Sequence, residues 1–391
     1  MSQPLEGIKV VEFGNLIAGP YCAMLLADLG ADVTKVEPSS GDLARAFGPY
    51  VDGVSYYFAA VNRGKKSAVI NPRADASKKW VRKLCLDADV IVHNLRHGAM
   101  QRAGLGYEDL ADENPGLVYA EISAFGSSGP DAERAGIDII FQGESGMMSI
   151  TGEEGGPPAK TATTVGDYLA GTNAAMAVSA ALVGRARTGK GRKIEVSLRD
   201  GLIAIQSTWN AMYFASGGQP GRVGTASWFT APTETFPTAD GYFNLAIVSD
   251  GHFKILCDDL GLDIVADPRF ATNEARVEHR TELNELVKPI FASDSTDAWM
   301  DRLLGLGLPV GRLMTFGEVF DDPQVQHNRM RVELPDGAAV TGSPVRMTGE
   351  PSLAPSAAPR LGADTDSVLR SLGATDEEIA QLKAAHLIRR L

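Results

Sequence analysis

Short apolar runs alternate with amphipathic stretches from the start of the chain. Residues 8–13 have the pattern of an apolar strand and residues 14–20 that of a turn. A helix is predicted over 21–30, with Pro20 suited to its first position and a glycine at its end. Residues 31–37 read as a second strand, stopped by Pro38. The alternation continues with strands over 67–70, 88–93 and 117–123 and a helix over 77–86. The run at 88–93 is almost wholly apolar, as in a parallel strand covered on both faces. Strands alternating with helices predict an α/β fold around a parallel sheet. A long alanine-rich helix follows over 167–187, then a strand over 193–198 and a helix over 201–215.

The pattern changes after residue 215. Residues 216–224 are glycine-rich and read as a linker. A β-hairpin is predicted over 236–247 around Asp240-Gly241. Helices over 251–260, 280–291 and 295–305 make 225–315 a second, smaller domain. The tail holds a strand candidate at 340–346, weakened by Pro344, a Pro/Ala-rich stretch at 350–360 and a helix over 376–385.

With 391 residues the chain exceeds one ordinary core, in keeping with two domains. Hydrophobic residues at 44% and charged residues at 22% describe a globular protein. No run reaches the ~18 apolar residues of a membrane span, and no signal segment is recognisable, so no membrane partner is expected. Three cysteines without a CxxC pair argue against a zinc site or a disulfide framework and suit a reducing compartment. A cytoplasmic or organelle-matrix location is the expectation. The net charge of −12 makes nucleic acid an unsuitable partner.

One acid stands out. Asp167 lies at the mouth of the long helix, where the dipole and free N–H groups favour a carboxylate. It is expected to stay ionised near neutral pH and to be able to attack a carbonyl carbon. The alternative is a plain N-cap. Two other patterns mislead. Gly14-x4-Gly19 with Glu37 lacks the glycine spacing of a dinucleotide site. Residues 184–191 approach a P-loop, but Gly191 replaces the magnesium ligand and a helix precedes the segment. The histidines show no metal spacing, so no metal is expected, and no GxSxG elbow occurs. Basic residues cluster at Arg63–Lys66 and at Arg73, Lys78 and Lys79, which suggests an anionic ligand over a strand edge if they are not merely solvated.

Taken in order, several segments resemble the class III (CaiB/BaiF-type) CoA-transferases, which include formyl-CoA:oxalate and carnitine CoA-transferases and the α-methylacyl-CoA racemases. They are residues 5–13 with 18–20, 29–38 with 41–42, 62–67, 88–94, 126–130, 155–158, 165–168, 188–191, 240–241, 267–270 and 322–324. The resemblance implies a Rossmann-like large domain whose parallel sheet is made from both chain ends, plus a small α+β domain, in an interlocked-ring homodimer. The boundaries it implies are 1–190 for the CoA-binding part, 191–224 for a linker, 225–315 for the small domain and 316–391 for a linker and return. It implies that Asp167 is a covalent nucleophile passing through an aspartyl anhydride and an aspartyl-CoA thioester. It implies no tightly bound cofactor, with coenzyme A and acyl-CoA as substrates beside a carboxylic or dicarboxylic acid.

The same resemblance places CoA against Ala18, Ile70, Arg73, Asn94, Leu95 and Arg102. Phe47 aligns with an aromatic that shapes the substrate pocket, and Asp138 with an acid near the nucleophile. The formyl-CoA enzyme has His and Gln where this chain has Asn15 and Ile17. Ile17 cannot donate to an oxyanion, so Asn15 or backbone N–H groups must serve. Pro38 stands where that enzyme has a basic residue on CoA. The racemase branch needs a histidine where this chain has Ile137, which cannot carry a proton. Glu234 matches the racemase glutamate. A racemase is therefore disfavoured, and a non-catalytic acyl-CoA-binding protein is the remaining alternative.

Overall fold

The computed structural model describes residues 3–72, 74–334, 337–348 and 356–388. The chain divides into two compact units, one of Met1–Met147, Thr161–Ala215 and Gln324–Leu391, the other of Met148–Lys160 and Ser216–Pro323.

The first unit is built on six parallel strands, β1 (Lys9–Phe13), β2 (Asp32–Glu37), β3 (Lys65–Val69), β4 (Val90–His93), β5 (Val118–Ser123) and β6 (Arg192–Ser197). Their order is β3-β2-β1-β4-β5-β6, that of a doubly wound Rossmann sheet. The order reverses between β1 and β4, where Val11 pairs with Ile91 and Phe13 with His93. Ligands of such sheets bind beyond the carboxyl ends at this switch point.

Alternate residues of the strands serve two cores. Val10, Val33, Val90, Val92, Val118 and Ala120 face helices α1 (Ala18–Asp28) and, farther along the chain, Val165–Thr188. Val11, Val36, Ile91 and Tyr119 face α2 (Asp75–Leu86) and the helices Thr365–Ser371 and Asp376–Ala384. Burial on both faces explains the near-continuous apolar runs. All six strands come from residues 9–197, so the parallel sheet is not made from both chain ends as the resemblance implied. The C-terminal return covers it with helices instead, because Val368, Leu369, Leu372, Ile379 and Leu382 recur at helical spacing. One antiparallel bridge, Ile388 to Ile70, reaches the sheet edge.

Other boundaries also move. Helix α1 begins at Ala18 rather than after Pro20; proline is harmless there because first-turn N–H groups have no intrahelical acceptor. The helix expected over 201–215 is two, Leu198–Ile205 and Ser207–Ser216. At the break, Gln206 Nε2 donates to Leu202 O at 2.8 Å and to Ser145 O at 3.1 Å. The strand expected over 340–346 is Ala339–Thr341; Pro344 has no N–H to extend the ladder.

The second unit contains the predicted hairpin. Thr233–Pro237 pairs antiparallel with Tyr242–Ala246, which pairs with Val310–Arg312. Helices Asp250–Leu260, Arg280–Phe291 and Thr296–Gly305 enclose Phe236, Phe243, Phe253, Phe291 and Trp299 with it. Arg276, in a short helix not foreseen from sequence, is fully buried and donates to Ala231 O, Phe270 O and Asp250.

Candidate active site

The loop after β1 lies at the switch point and is fastened from several sides. Asn94, next after β4, grips the backbone of Asn15: its Oδ1 accepts the Asn15 N–H at 2.8 Å and its Nδ2 donates to the Asn15 carbonyl at 2.9 Å. Leu16 has φ of 62° and donates its N–H to Asp42 Oδ1 at 3.0 Å. That left-handed backbone is uncommon outside glycine, and here the Asp42 bond holds it. Gly19 favours this close approach, since a Cβ there would lie 3.0 Å from Asn94 Oδ1 and press on it.

Beneath the loop is a buried charge network. Lys35 Nζ donates to Glu12 Oε1 at 2.6 Å and to Gly14 O at 2.9 Å, and pairs with Asp42 Oδ2 at 2.8 Å. Lys65 Nζ donates to Glu12 Oε2 at 2.8 Å, Pro20 O at 2.7 Å and Asn62 Oδ1 at 2.8 Å. The two lysines thus tie down both ends of the loop. Burial opposes the Glu12 charge, but Lys35 and Lys65 outweigh it and hold its carboxyl below the usual range. Burial pulls the Lys65 ammonium down to about 8 despite Glu12.

These contacts correct one expectation. The run Arg63–Lys66 does not await an anionic ligand. It lies at the amino end of β3, Arg63 is buried against Asp28, Lys65 is consumed by Glu12, and Lys66 pairs with Asp32 at 2.7 Å.

Two helices bring the acids together. Helix α3 (Asp138–Glu144) starts with buried Asp138, and α4 (Val165–Thr188) carries Asp167 as its third residue. The N-cap of α4 is Thr164, so Asp167 is not a cap. Asp138 Oδ1 accepts the Gly166 N–H at 2.8 Å, and Gln142 Nε2 donates to Asp138 Oδ2. A Cβ at Gly166 would lie 2.9 Å from Asp138 Oδ1, so the glycine allows this approach. Gln142 Oε1 in turn accepts the Thr161 N–H at 2.9 Å.

Among the described residues no side chain or amide donates a hydrogen bond to the Asp167 carboxyl. Burial, followed by the Asp138 charge, pushes its pKa up to about 7. The expectation that Asp167 stays fully ionised near neutral pH is therefore corrected: desolvation and a like charge outweigh the helix end.

Aromatic residues border the acid. Tyr168 packs edge-on against Tyr21 of α1 with centroids 4.8 Å apart, and Tyr57 against Phe47 at 5.4 Å. Burial and the Asp167 charge raise the phenol pKa of Tyr57, with Asp42 adding to them. Tyr57 thus lies within electrostatic reach of both Asp167 and the acid that holds Leu16. Phe47 is half exposed beside it. Tyr57 and Tyr21 were not among the sequence candidates, and no local spacing marks them.

The remaining candidates separate. Ile17 and Ala18 are buried at the start of α1, and Ile70 is buried at the end of β3. Leu95 is partly buried, while Arg102 is exposed and donates to His97 O at 3.3 Å. Arg73 lies outside the described residues. Ile137 is 63% exposed, directly before Asp138. Glu234 belongs to the second unit, where Asn284 donates to it at 2.8 Å and Lys288 pairs with it at 3.4 Å. That unit also bears an open groove of about 660 Å³, lined by Thr225, Thr233, Glu234, Thr235 and Asn244 among others. No group of three or more metal-type ligands occurs among the described residues. Nor is any described helix long and apolar enough to cross a membrane.

The pattern of CoA-transferase family III matches residues 5–365. A succinate–glutarate CoA-transferase of Agrobacterium fabrum is 40% identical over 387 residues, covering 94% of this chain and 96% of that protein. An acetyl-CoA:oxalate CoA-transferase of Acetobacter aceti is 35% identical, covering 88% of this chain and 90% of that one. A crystal structure of a CaiB/BaiF family protein from Brucella suis superposes with a TM-score of 0.87 at 38% identity, covering 95% of this chain and all of that one.

Proposed function

The chain belongs to CoA-transferase family III, and on that premise we propose that it moves CoA from an acyl-CoA thioester to a small carboxylic acid, with Asp167 as the covalent nucleophile. The observation that carries this reading is the Asp167 carboxyl itself: partly buried, given no hydrogen bond by any described residue, and held near a pKa of about 7. Such a carboxylate is poorly solvated, and a poorly solvated anion is a stronger nucleophile.

An Asp167 oxygen attacks the thioester carbonyl carbon, the C–S bond breaks, and an acyl–aspartyl anhydride and CoA thiolate result. The thiolate then attacks the aspartyl carbonyl, releasing the donor acid and leaving an aspartyl-CoA thioester. The acceptor carboxylate attacks that thioester, and the same two steps run in reverse onto the new acid. The bonds exchanged are nearly equal in energy, so no ATP is consumed.

The acceptor class is a short dicarboxylate such as succinate or glutarate, on the strength of the relatives that share most of the chain. Racemisation lacks its second base at Ile137, and Glu234 is engaged by Asn284 and Lys288. The CoA phosphates are assigned to Arg73 and Arg102, with Ala18, Ile70, Asn94 and Leu95 along the carrier; the side-chain amide of Asn94 is taken up by Asn15, which leaves its backbone for that role. The interlocked dimer is part of the same proposal. Exposed Met176, Val183 and Phe214, and the helix Ser207–Ser216 with no fully buried residue, support a partner.

The test is trapping. With succinyl-CoA and glutarate present, hydroxylamine should convert Asp167 to a hydroxamate detectable by peptide mass, and Asp167→Ala should abolish CoA exchange. An unmodified Asp167 peptide under turnover, or an active Asp167→Ala enzyme, would overturn the assignment.

A further inference from the structure

Attack on a thioester puts negative charge on the carbonyl oxygen, and that oxygen needs a donor which Ile17 cannot supply. We infer that the side-chain amide of Asn15 is the side-chain oxyanion donor of this enzyme. The inference rests on the covalent reading of Asp167 and identifies a residue for it.

The hydrogen bonds of the loop remove the peptide donors up to Leu16 and leave the Asn15 side chain beside the first-turn N–H groups of α1. The Asn15 N–H is taken by Asn94 and the Leu16 N–H by Asp42, so neither is available. The Nδ2 of Asn94 is taken by the Asn15 carbonyl. The Asn15 side chain is different. Its Oδ1 accepts the Leu43 N–H at 3.1 Å, which orients the amide. An N–H can point only at the oxygen, so the NH2 group must occupy the other side. Among the described residues nothing accepts from it, and Asn15 is partly open to solvent.

The neighbourhood is also right. Helices α1 and α4 lie on the same face of the sheet. A Cβ at Gly171, one turn after Asp167, would lie 2.8 Å from the Ala18 carbonyl, and Tyr168 touches Tyr21. Tyr57 lies within electrostatic reach of both Asp167 and Asp42, the residue that holds Leu16. The start of α1, with first-turn N–H groups free of intrahelical acceptors, is adjacent and adds a positive field. Asn15 donates a hydrogen bond only. No proton moves to or from it, and the charge leaves with the CoA thiolate when the C–S bond breaks.

Three variants test this in the full-length enzyme with succinyl-CoA and glutarate. Asn15→Ala should lower kcat by about 100-fold, the usual effect of losing one oxyanion donor, with KM changed far less. Asn15→Asp keeps an oxygen for the Leu43 N–H but replaces the donor with an anion, so it should fall at least as far while melting like wild type. Asn15→Ser restores a small donor and should recover part of the loss. An Asn15→Asp enzyme with more than about a third of wild-type kcat, or an Asn15→Ala loss below about 3-fold, overturns the inference, both thresholds lying far short of a lost oxyanion donor. So does an Asn15→Ser enzyme as slow as Asn15→Ala with an equal fall in melting temperature, which would mark a structural role. The failures are separable. If wild type yields the Asp167 hydroxamate and the Asn15 variants keep kcat, only Asn15 is wrong; if wild type yields none, the covalent reading fails first.

Discussion

Asp138 and Asp167 meet at one helix mouth: the first accepts the N–H of Gly166, and its charge raises the pKa of the second. The acid proposed to attack is thus kept partly protonated by a neighbour that is itself hydrogen-bonded twice. Burial contributes more to the shift than Asp138 does.

A pH profile follows from that pair. Only ionised Asp167 attacks, so activity should rise with pH through about 7 and level off above it. Asp138→Asn removes the like charge but keeps an oxygen for the Gly166 N–H. Its rising limb should move to lower pH by roughly one unit, the usual scale of one neighbouring charge. Initial rates at saturating and at low acyl-CoA between pH 5 and 9 check this, and an unmoved limb would show that Asp138 acts only as a scaffold.

The buried lysines make a stability prediction. Lys35→Met leaves Glu12 and Asp42 buried without their shared partner. Breaking a buried pair from one side costs about 3–5 kcal/mol. Urea unfolding should show a loss of that order, with residual activity lowered further because the Gly14 carbonyl is released. A midpoint equal to wild type would mean that water or rearrangement replaces Lys35.

His93 should make the protein acid-sensitive. It is buried at the end of β4 with neither ring nitrogen hydrogen-bonded to any described residue, and burial, helped by Lys193, lowers its pKa to about 3. The unfolded chain takes up this proton near its ordinary value of 6.5, whereas the folded one resists until about 3. The stability is therefore present above pH 6.5 and is lost as pH falls toward 3. Between pH 7 and 5 the loss from this group is about 2 kcal/mol. His93→Leu should flatten that limb; denaturant midpoints at the two pH values, compared between the proteins, decide it.

Much of the fold is legible in the pattern of residues. Strands buried on two faces need apolar runs, and 88–93 and 117–123 show them within two residues of the observed bounds. The Asp240-Gly241 turn marks the hairpin for the same local reason, and residues 167–187 mark α4. Family membership was also legible, because it rests on ordered motifs along the chain. The C-terminal return was read less well: its helical spacing is visible, but the sheet it covers is specified by other residues.

The rest was decided by contacts between distant positions. Glu12, Lys35 and Lys65 look like surface charges in a linear reading, yet they are buried together because β1, β2 and β3 are neighbours. Arg63 reads as a ligand-facing cation until Asp28 is placed against it. Asn94 reads as a carrier contact, while its side chain holds the Asn15 backbone. The sequence determined that Asp167 stands at a helix mouth, since helix ends are set by nearby residues. Its protonation depends on burial and on Asp138, which lies 29 positions earlier. Desolvation and charge act through space, and only the tertiary structure says which groups share it.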